Sequence, residues 1–163
     1  QCATKQMRGT VESPIIMAAL DEDLPVLCIG QGMHTLNLAM GGSVAEELTG
    51  HDIDAQGDKV QSSYHRIFIA PGSKLAATVG SGGFVRVNSR HRRGVTEAQR
   101  PPSLMASAYS LDDGVIEALE VPHQRWVVGV QFQPERRGEL PPHFDRLFEA
   151  LVDKAAGVTH TTT

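Results

Sequence analysis

The sequence predicts an α/β domain, a mainly parallel sheet flanked by helices, with antiparallel additions from the middle of the chain. Three observations predict it. Pro25-Val26-Leu27-Cys28-Ile29-Gly30 is a short, continuously apolar run, which suits a strand buried on both faces. It passes through Gln31-Gly32 into helical spacing from Met33 to Met40, so strand, tight turn and helix follow one another as half of a βα unit. Trp126 to Phe132 is a second strongly buried strand, and Pro141-Pro142 opens a last helix whose apolar face is Phe144, Leu147, Phe148 and Leu151.

In chain order, Val11 to Leu20 reads as a helix, with Val11, Ile15, Ala18 and Ala19 on one face and Pro14 in its first turn. The acidic Asp21-Glu22-Asp23 opposes the dipole at a helix C-terminus, so the helix should stop at Leu20 or Asp21. Gly41-Gly42 ends the second helix. Glu46 to Ser63 is polar and irregular and reads as a loop. His65 to Ile69 and Leu75 to Val79 alternate apolar and polar residues, and Phe84 to Val87 is a third short strand. Met105 to Tyr109 and Val115 to Glu120 flank Asp112-Asp113-Gly114, a hairpin turn signature. Residues 1–156 form a single domain, and 157–163 read as a disordered tail.

Composition excludes several classes. At 163 residues, with 40% hydrophobic and 21% charged residues, the chain suits one globular domain with a sizeable core. No apolar run approaches the roughly 20 residues of a transmembrane helix, so no membrane role is expected. Gln1-Cys2-Ala3-Thr4-Lys5 carries no apolar stretch of the signal-peptide kind. Cys2 and Cys28 form neither a disulfide framework nor a zinc-type spacing, and a reducing cytoplasm is the expected location. The net charge of −4 and the shortness of the basic cluster Arg86, Arg90, Arg92 and Arg93 argue against nucleic acid. The seven histidines show no metal-ligand spacing, so neither metal nor other cofactor is expected.

Four collinear segments carry a family resemblance. Leu24-Pro25-Val26-Leu27-Cys28-Ile29-Gly30-Gln31-Gly32-Met33, continued by Leu36-Asn37-Leu38-Ala39-Met40-Gly41-Gly42, resembles the nucleophile elbow of class I glutamine amidotransferases. It is most similar to the gamma-glutamyl-gamma-aminobutyrate hydrolase and gamma-glutamyl hydrolase branch. Val87-Asn88-Ser89-Arg90-His91, Asp113-Gly114-Val115-Ile116-Glu117-Ala118 and Gly129-Val130-Gln131-Phe132-Gln133-Pro134-Glu135 resemble three further segments of that branch. The resemblance implies a flavodoxin-like, three-layer fold.

In that family a cysteine at the strand-to-helix turn attacks a side-chain amide or gamma-glutamyl carbonyl. A histidine shuttles its proton, a glutamate orients the histidine, and backbone N–H groups of the elbow face the oxyanion. Here the nucleophile position holds Gly30 and the histidine position holds Gln133, which is no general base near neutral pH. Glu135 is the surviving triad position, and Gln31 and Gly32 occupy the oxyanion turn. Ser89 and His91 are the cleft candidates. Cys28, two residues before the nucleophile position and inside the apolar run, is expected to be a buried, inert thiol.

The resemblance therefore implies a degenerate gamma-glutamyl hydrolase relative, inactive in amide hydrolysis and serving as a binding or interaction module. One alternative is a hydrolase of altered chemistry on gamma-glutamyl or other C–N bonds, using Gln133, Glu135 and His91. Another is an amidohydrolase completed by a partner chain. The resemblance implies strands and a glycine-rich loop, a portion of roughly 60 to 80 residues, ahead of the segment matching Arg8 to Leu20, expected to be truncated, cleaved or outside this sequence. The expected partners are a gamma-glutamyl-like small molecule and a second copy, or another chain, covering the exposed sheet edge.

Overall fold

The computed structural model describes residues 2–43, 45–52, 54–56 and 59–157 of the chain. The expected tail beyond Gly157 lies outside the described residues. Six strands form one sheet: β1 (Val26–Ile29), β5 (Ser63–Ile69), β6 (Gly83–Ser89), β8 (Met105–Ser110), β9 (Ile116–Glu120) and β10 (Val127–Val130), in the order β1-β10-β9-β8-β5-β6. Two small ribbons pair β2 (Glu46–Glu47) with β7 (Arg93–Gly94) and β3 (Asp54–Gln56) with β4 (Lys59–Gln61). The helices are α1 (Cys2–Asp21), α2 (Gln31–Ala39), α3 (Lys74–Val79) and α4 (Arg146–Ala155), the last preceded by a 3₁₀ turn at Pro142–Asp145.

The two buried apolar runs of the sequence become the parallel pair. Val26 lies opposite Val127 and Ile29 opposite Val130, with Val26 N–H donating to the Trp126 carbonyl at 2.9 Å. The balance of the sheet differs from the expectation: among the described residues β1–β10 is its one parallel pairing, and the other four are antiparallel. The connections decide this, because parallel neighbours need a crossover of a dozen or more residues. Only short turns, 111–115 and 121–126, join β8, β9 and β10.

Both faces of the sheet are covered, which makes the three layers. Ile67, Val128 and Val130 pack with Leu75, Phe144 and Leu147 on the side of α3 and α4. Ile116, Leu119 and Val127 pack with Ile16, Leu20, Met33 and Leu36 on the side of α1 and α2. Successive residues of β10 thus face opposite cores, and burying each valine contributes about 1.5–3 kcal/mol. Gly129 lets α2 approach, since a Cβ there would lie 3.0 Å from Met33 Cγ.

Three local expectations change. Helix α1 begins at Cys2 rather than Val11, so Pro14 lies in its interior and forfeits the bond that residue 14 would donate to the carbonyl of residue 10. The end at Asp21 agrees with the expectation. Leu75 to Val79, alternating like a strand, is α3: Ser73 Oγ accepts the Ala76 N–H at 3.0 Å, and Gly80 closes the helix at φ 95°. The Glu120 carboxylate accepts the N–H groups of Lys74 and Leu75 at 3.1 and 3.3 Å, fixing the helix start from across the fold. Finally, the segment read as a loop from Glu46 to Ser63 contains β2, β3 and β4, and β5 begins at Ser63 itself.

Candidate functional site

The carboxyl ends of the parallel pair bring the elbow and the last motif together. Gly30 caps α2 with φ 55° and ψ −113°, a backbone region costly for side-chain-bearing residues, and its N–H donates to the Val130 carbonyl at 2.8 Å. A Cβ on Gly30 would meet nothing closer than the Gln131 carbonyl at 4.0 Å, so the turn has room for a side chain. Gln31 and Gly32 form the first turn of α2, where N–H groups have no intrahelical partner. Beneath them, His34 Nε2 lies 2.5 Å from Gln131 Oε1, both side chains being buried.

Gln133 follows Phe132 at the end of this strand region. Its backbone is fixed by Asn88, which donates to its carbonyl at 3.1 Å and accepts its N–H at 2.9 Å. Glu135 is exposed, and among the described residues its carboxylate has neither hydrogen bond nor ion pair. Cys28 is buried, and burial first, with the charge of Glu12 second, pushes its thiol up to about 12, as its place in the apolar strand predicts. A groove of about 350 Å³ runs along the outer edge of β1 between Glu12, Ile15, Ile16, Cys28 and Gln31.

The two cleft candidates turn elsewhere. Ser89 Oγ donates to the His51 carbonyl at 2.6 Å, and the His91 N–H donates to the same carbonyl at 3.0 Å. Among the described residues, neither has a hydrogen bond or ion pair with Gln133 or Glu135. His91 instead joins His51, His65 and Glu117 in a buried group. His65 Nε2, His91 Nε2 and His51 Nδ1 lie 3.0, 3.6 and 3.8 Å from Glu117 Oε1. Burial would raise the Glu117 carboxyl, but the imidazoles of His65 and His91 outweigh it and hold the group below the usual carboxylate range. Burial likewise opposes the charged form of His65, yet Glu117 raises that ring's pKa on balance.

Sequence reading missed His51, His65 and Glu117 because they lie far apart in the chain and show no ligand spacing. One signal was present: Glu117 and Glu120 both fall in Ile116-Glu117-Ala118-Leu119-Glu120, and every residue of that strand is buried. Carboxylates in such a strand demand partners.

The elbow, the parallel strand β10 beside it and the two helical layers define a glutamine amidotransferase-like domain. The chain belongs to the Peptidase C26 family, whose model matches residues 1–135. A Mycobacterium tuberculosis (strain H37Rv) protein provisionally named glutamine amidotransferase Rv2859c is 34% identical over 154 residues, covering 92% of this chain and 46% of that protein. Gamma-glutamyl-gamma-aminobutyrate hydrolase PuuD of Escherichia coli K12 is 31% identical over 137 residues, covering 78% of this chain and 52% of the hydrolase. The glutaminase domain of Trypanosoma brucei CTPS, solved with bound acivicin, superposes with a TM-score of 0.69 at 19% identity, covering 94% of this chain and 68% of that one. The chain thus spans about half the length of the curated relatives it matches. No helix among the described residues is long and apolar enough to cross a membrane.

Proposed function

We propose that the protein is a non-catalytic member of its family, which keeps the elbow as a scaffold for binding a gamma-glutamyl-like small molecule or another protein. The observation that supports this best is Gly30: it holds the strained geometry of a nucleophile turn while offering no nucleophile. Gln133 adds the loss of the base, and Cys28, buried and with its thiol pushed up to about 12, does not replace the missing sulfur. The test is release of ammonia from glutamine and of glutamate from gamma-glutamyl amides. The purified chain should show neither above a buffer blank, since losing nucleophile and base each costs several orders of magnitude, without additivity. Turnover abolished by Cys28→Ser would overturn the reading.

The altered-chemistry alternative would use Gln133, Glu135 and His91 together, and the burial of His91 against Glu117 disfavours it. Completion by a partner chain would still require a thiol at the elbow. A second copy of the chain along the open edge of β1, and a cytoplasmic location in keeping with the free thiol of Cys28, belong to the same proposal.

A further inference from the structure

We propose that His51, His65, His91 and Glu117 form a binding site for a divalent transition metal of the zinc class. The argument starts from which ring nitrogens are already used. His91 Nδ1 lies 2.9 Å from the Arg93 carbonyl, which can only accept, so this nitrogen carries the proton. That leaves Nε2, the atom 3.6 Å from Glu117 Oε1, as the nitrogen available to a metal. His51 repeats the arrangement: Nε2 donates to the Asp113 carboxylate at 2.7 Å, which leaves the lone pair on Nδ1, 3.8 Å from the same oxygen. His65 Nε2 completes the set at 3.0 Å.

Three ring nitrogens and a carboxylate oxygen converge here in a dry interior, the set of donor atoms that a cation placed among them would satisfy. All four side chains are at least nine-tenths buried, at 4%, 8%, 9% and 0% exposure for His51, His65, His91 and Glu117. None of the four converging atoms makes a hydrogen bond of good geometry. The charges of Glu117 and Asp113 would balance a dication held there.

The spacing also suits a metal. Zinc–nitrogen and zinc–oxygen bonds of about 2.0–2.2 Å place tetrahedral ligand atoms roughly 3.3–3.6 Å apart. The three distances to Glu117 Oε1, 3.0, 3.6 and 3.8 Å, bracket that value. Ligand atoms of His51, His65 and Glu117 all lie within 4.8 Å of one another and form the core of the site, and His91 stands beside this trio with Nε2 3.6 Å from the same Glu117 oxygen. Metal-bound histidines usually donate their other nitrogen to a carboxylate or a carbonyl, the partners that His51 has in Asp113 and His91 in Arg93. With every ligand from the protein and little solvent access, the site is of the closed, structural kind. It would tie the 45–52 segment, β5, the turn after β6 and β9 together. It also braces the elbow, because the Glu117 carbonyl accepts the Gln131 N–H at 2.8 Å.

The test uses the tag-free chain, stripped with a chelator and titrated with Zn2+ and, separately, Co2+. One equivalent of zinc should survive desalting and raise the melting temperature, and Co2+ should give the intense visible absorption of a tetrahedral centre. Asp113→Asn, which touches the metal only through His51, should weaken zinc binding about 10–100-fold. Glu117→Gln should weaken it at least as much, and the exposed His123→Asn should not change it. The proposal fails if wild-type protein retains no zinc. It also fails if Co2+ stays octahedral and pale, or if Asp113→Asn binds as wild type does while His123→Asn does not. The Co2+ spectrum is read on wild-type protein, so a variant that folds poorly leaves the test intact, and none of these readouts depends on amide hydrolysis.

Discussion

Asn88 and Gln133 hold each other through a reciprocal pair of hydrogen bonds, the Asn88 amide donating to the Gln133 carbonyl at 3.1 Å and accepting its N–H at 2.9 Å. The pair uses only the backbone of residue 133, so the position is fixed whatever its side chain. Asn88 is fully buried and also donates to Glu139 at 2.9 Å. Asn88→Ala would leave a half-buried N–H and C=O of Gln133 and the Glu139 carboxylate without this partner, each costing about 1 kcal/mol. Urea denaturation should show a loss of at least 2 kcal/mol; a loss below about 0.5 kcal/mol would mean the clamp is not formed in solution.

The same clamp bears on what a thiol and an imidazole introduced at the elbow would do. Gly30→Cys should fold, because the space beyond a Cβ is open to 4.0 Å, at a cost of about 1–3 kcal/mol for a non-glycine residue at φ 55°. Alone, its thiol should be modestly reactive. Gly30→Cys with Gln133→His should react faster with an alkylating reagent near neutral pH, since an adjacent imidazole favours the thiolate. Equal rates in the single and double variants would show that residues 30 and 133 are not neighbours.

How much of this was legible in the sequence depends on where each constraint lies. Val26 to Ile29 and Val127 to Val130 are apolar on both faces, and that burial is written in consecutive residues. Gly30 at the elbow was readable from its place between a strand and a helix. The helix at Lys74–Val79 was obscured because Glu120, distant in the chain, fixes its first turn. Its own capping pair, Ser73 and Gly80, was present and outweighed by the alternating pattern. The His51, His65, His91 and Glu117 group was hidden for the same reason as Glu120: its members meet only through strand pairing and the 45–52 segment.

Cys28 gives a pH dependence. Its thiol is pushed up to about 12 in the folded chain, from an ordinary value of 9.0. Between these values the unfolded chain loses the proton and the folded chain keeps it, so stability falls as pH rises. The contribution is fully present below pH 9 and is lost progressively toward pH 12. Denaturation midpoints measured at increasing pH should fall more steeply for wild type than for Cys28→Ala, after correction for the cavity's constant cost. Parallel slopes would mean that the thiol ionises in the folded protein as readily as in the unfolded chain.

The last prediction concerns the open edge of the sheet. Strand β1 pairs with β10 on one side and, among the described residues, with no strand on the other. That edge carries backbone donors and acceptors that a second strand can satisfy. It is bordered by apolar surface: Ile15, 63% exposed, lines the groove of about 350 Å³ that runs beside it. A two-fold pairing of this edge with its copy would cover both features at once, and closed two-fold pairs are the commonest oligomers. The chain should therefore sediment and scatter light as a homodimer at micromolar concentration. Ile15→Lys should shift it toward monomer with little loss of stability within each chain, because the side chain is solvated there before association. Gly30→Ala, placed at the strand's end and facing the Gln131 carbonyl, should leave the dimer intact. A stable, well-folded wild-type monomer, or a dimer indifferent to Ile15→Lys, would assign this edge no role in self-association.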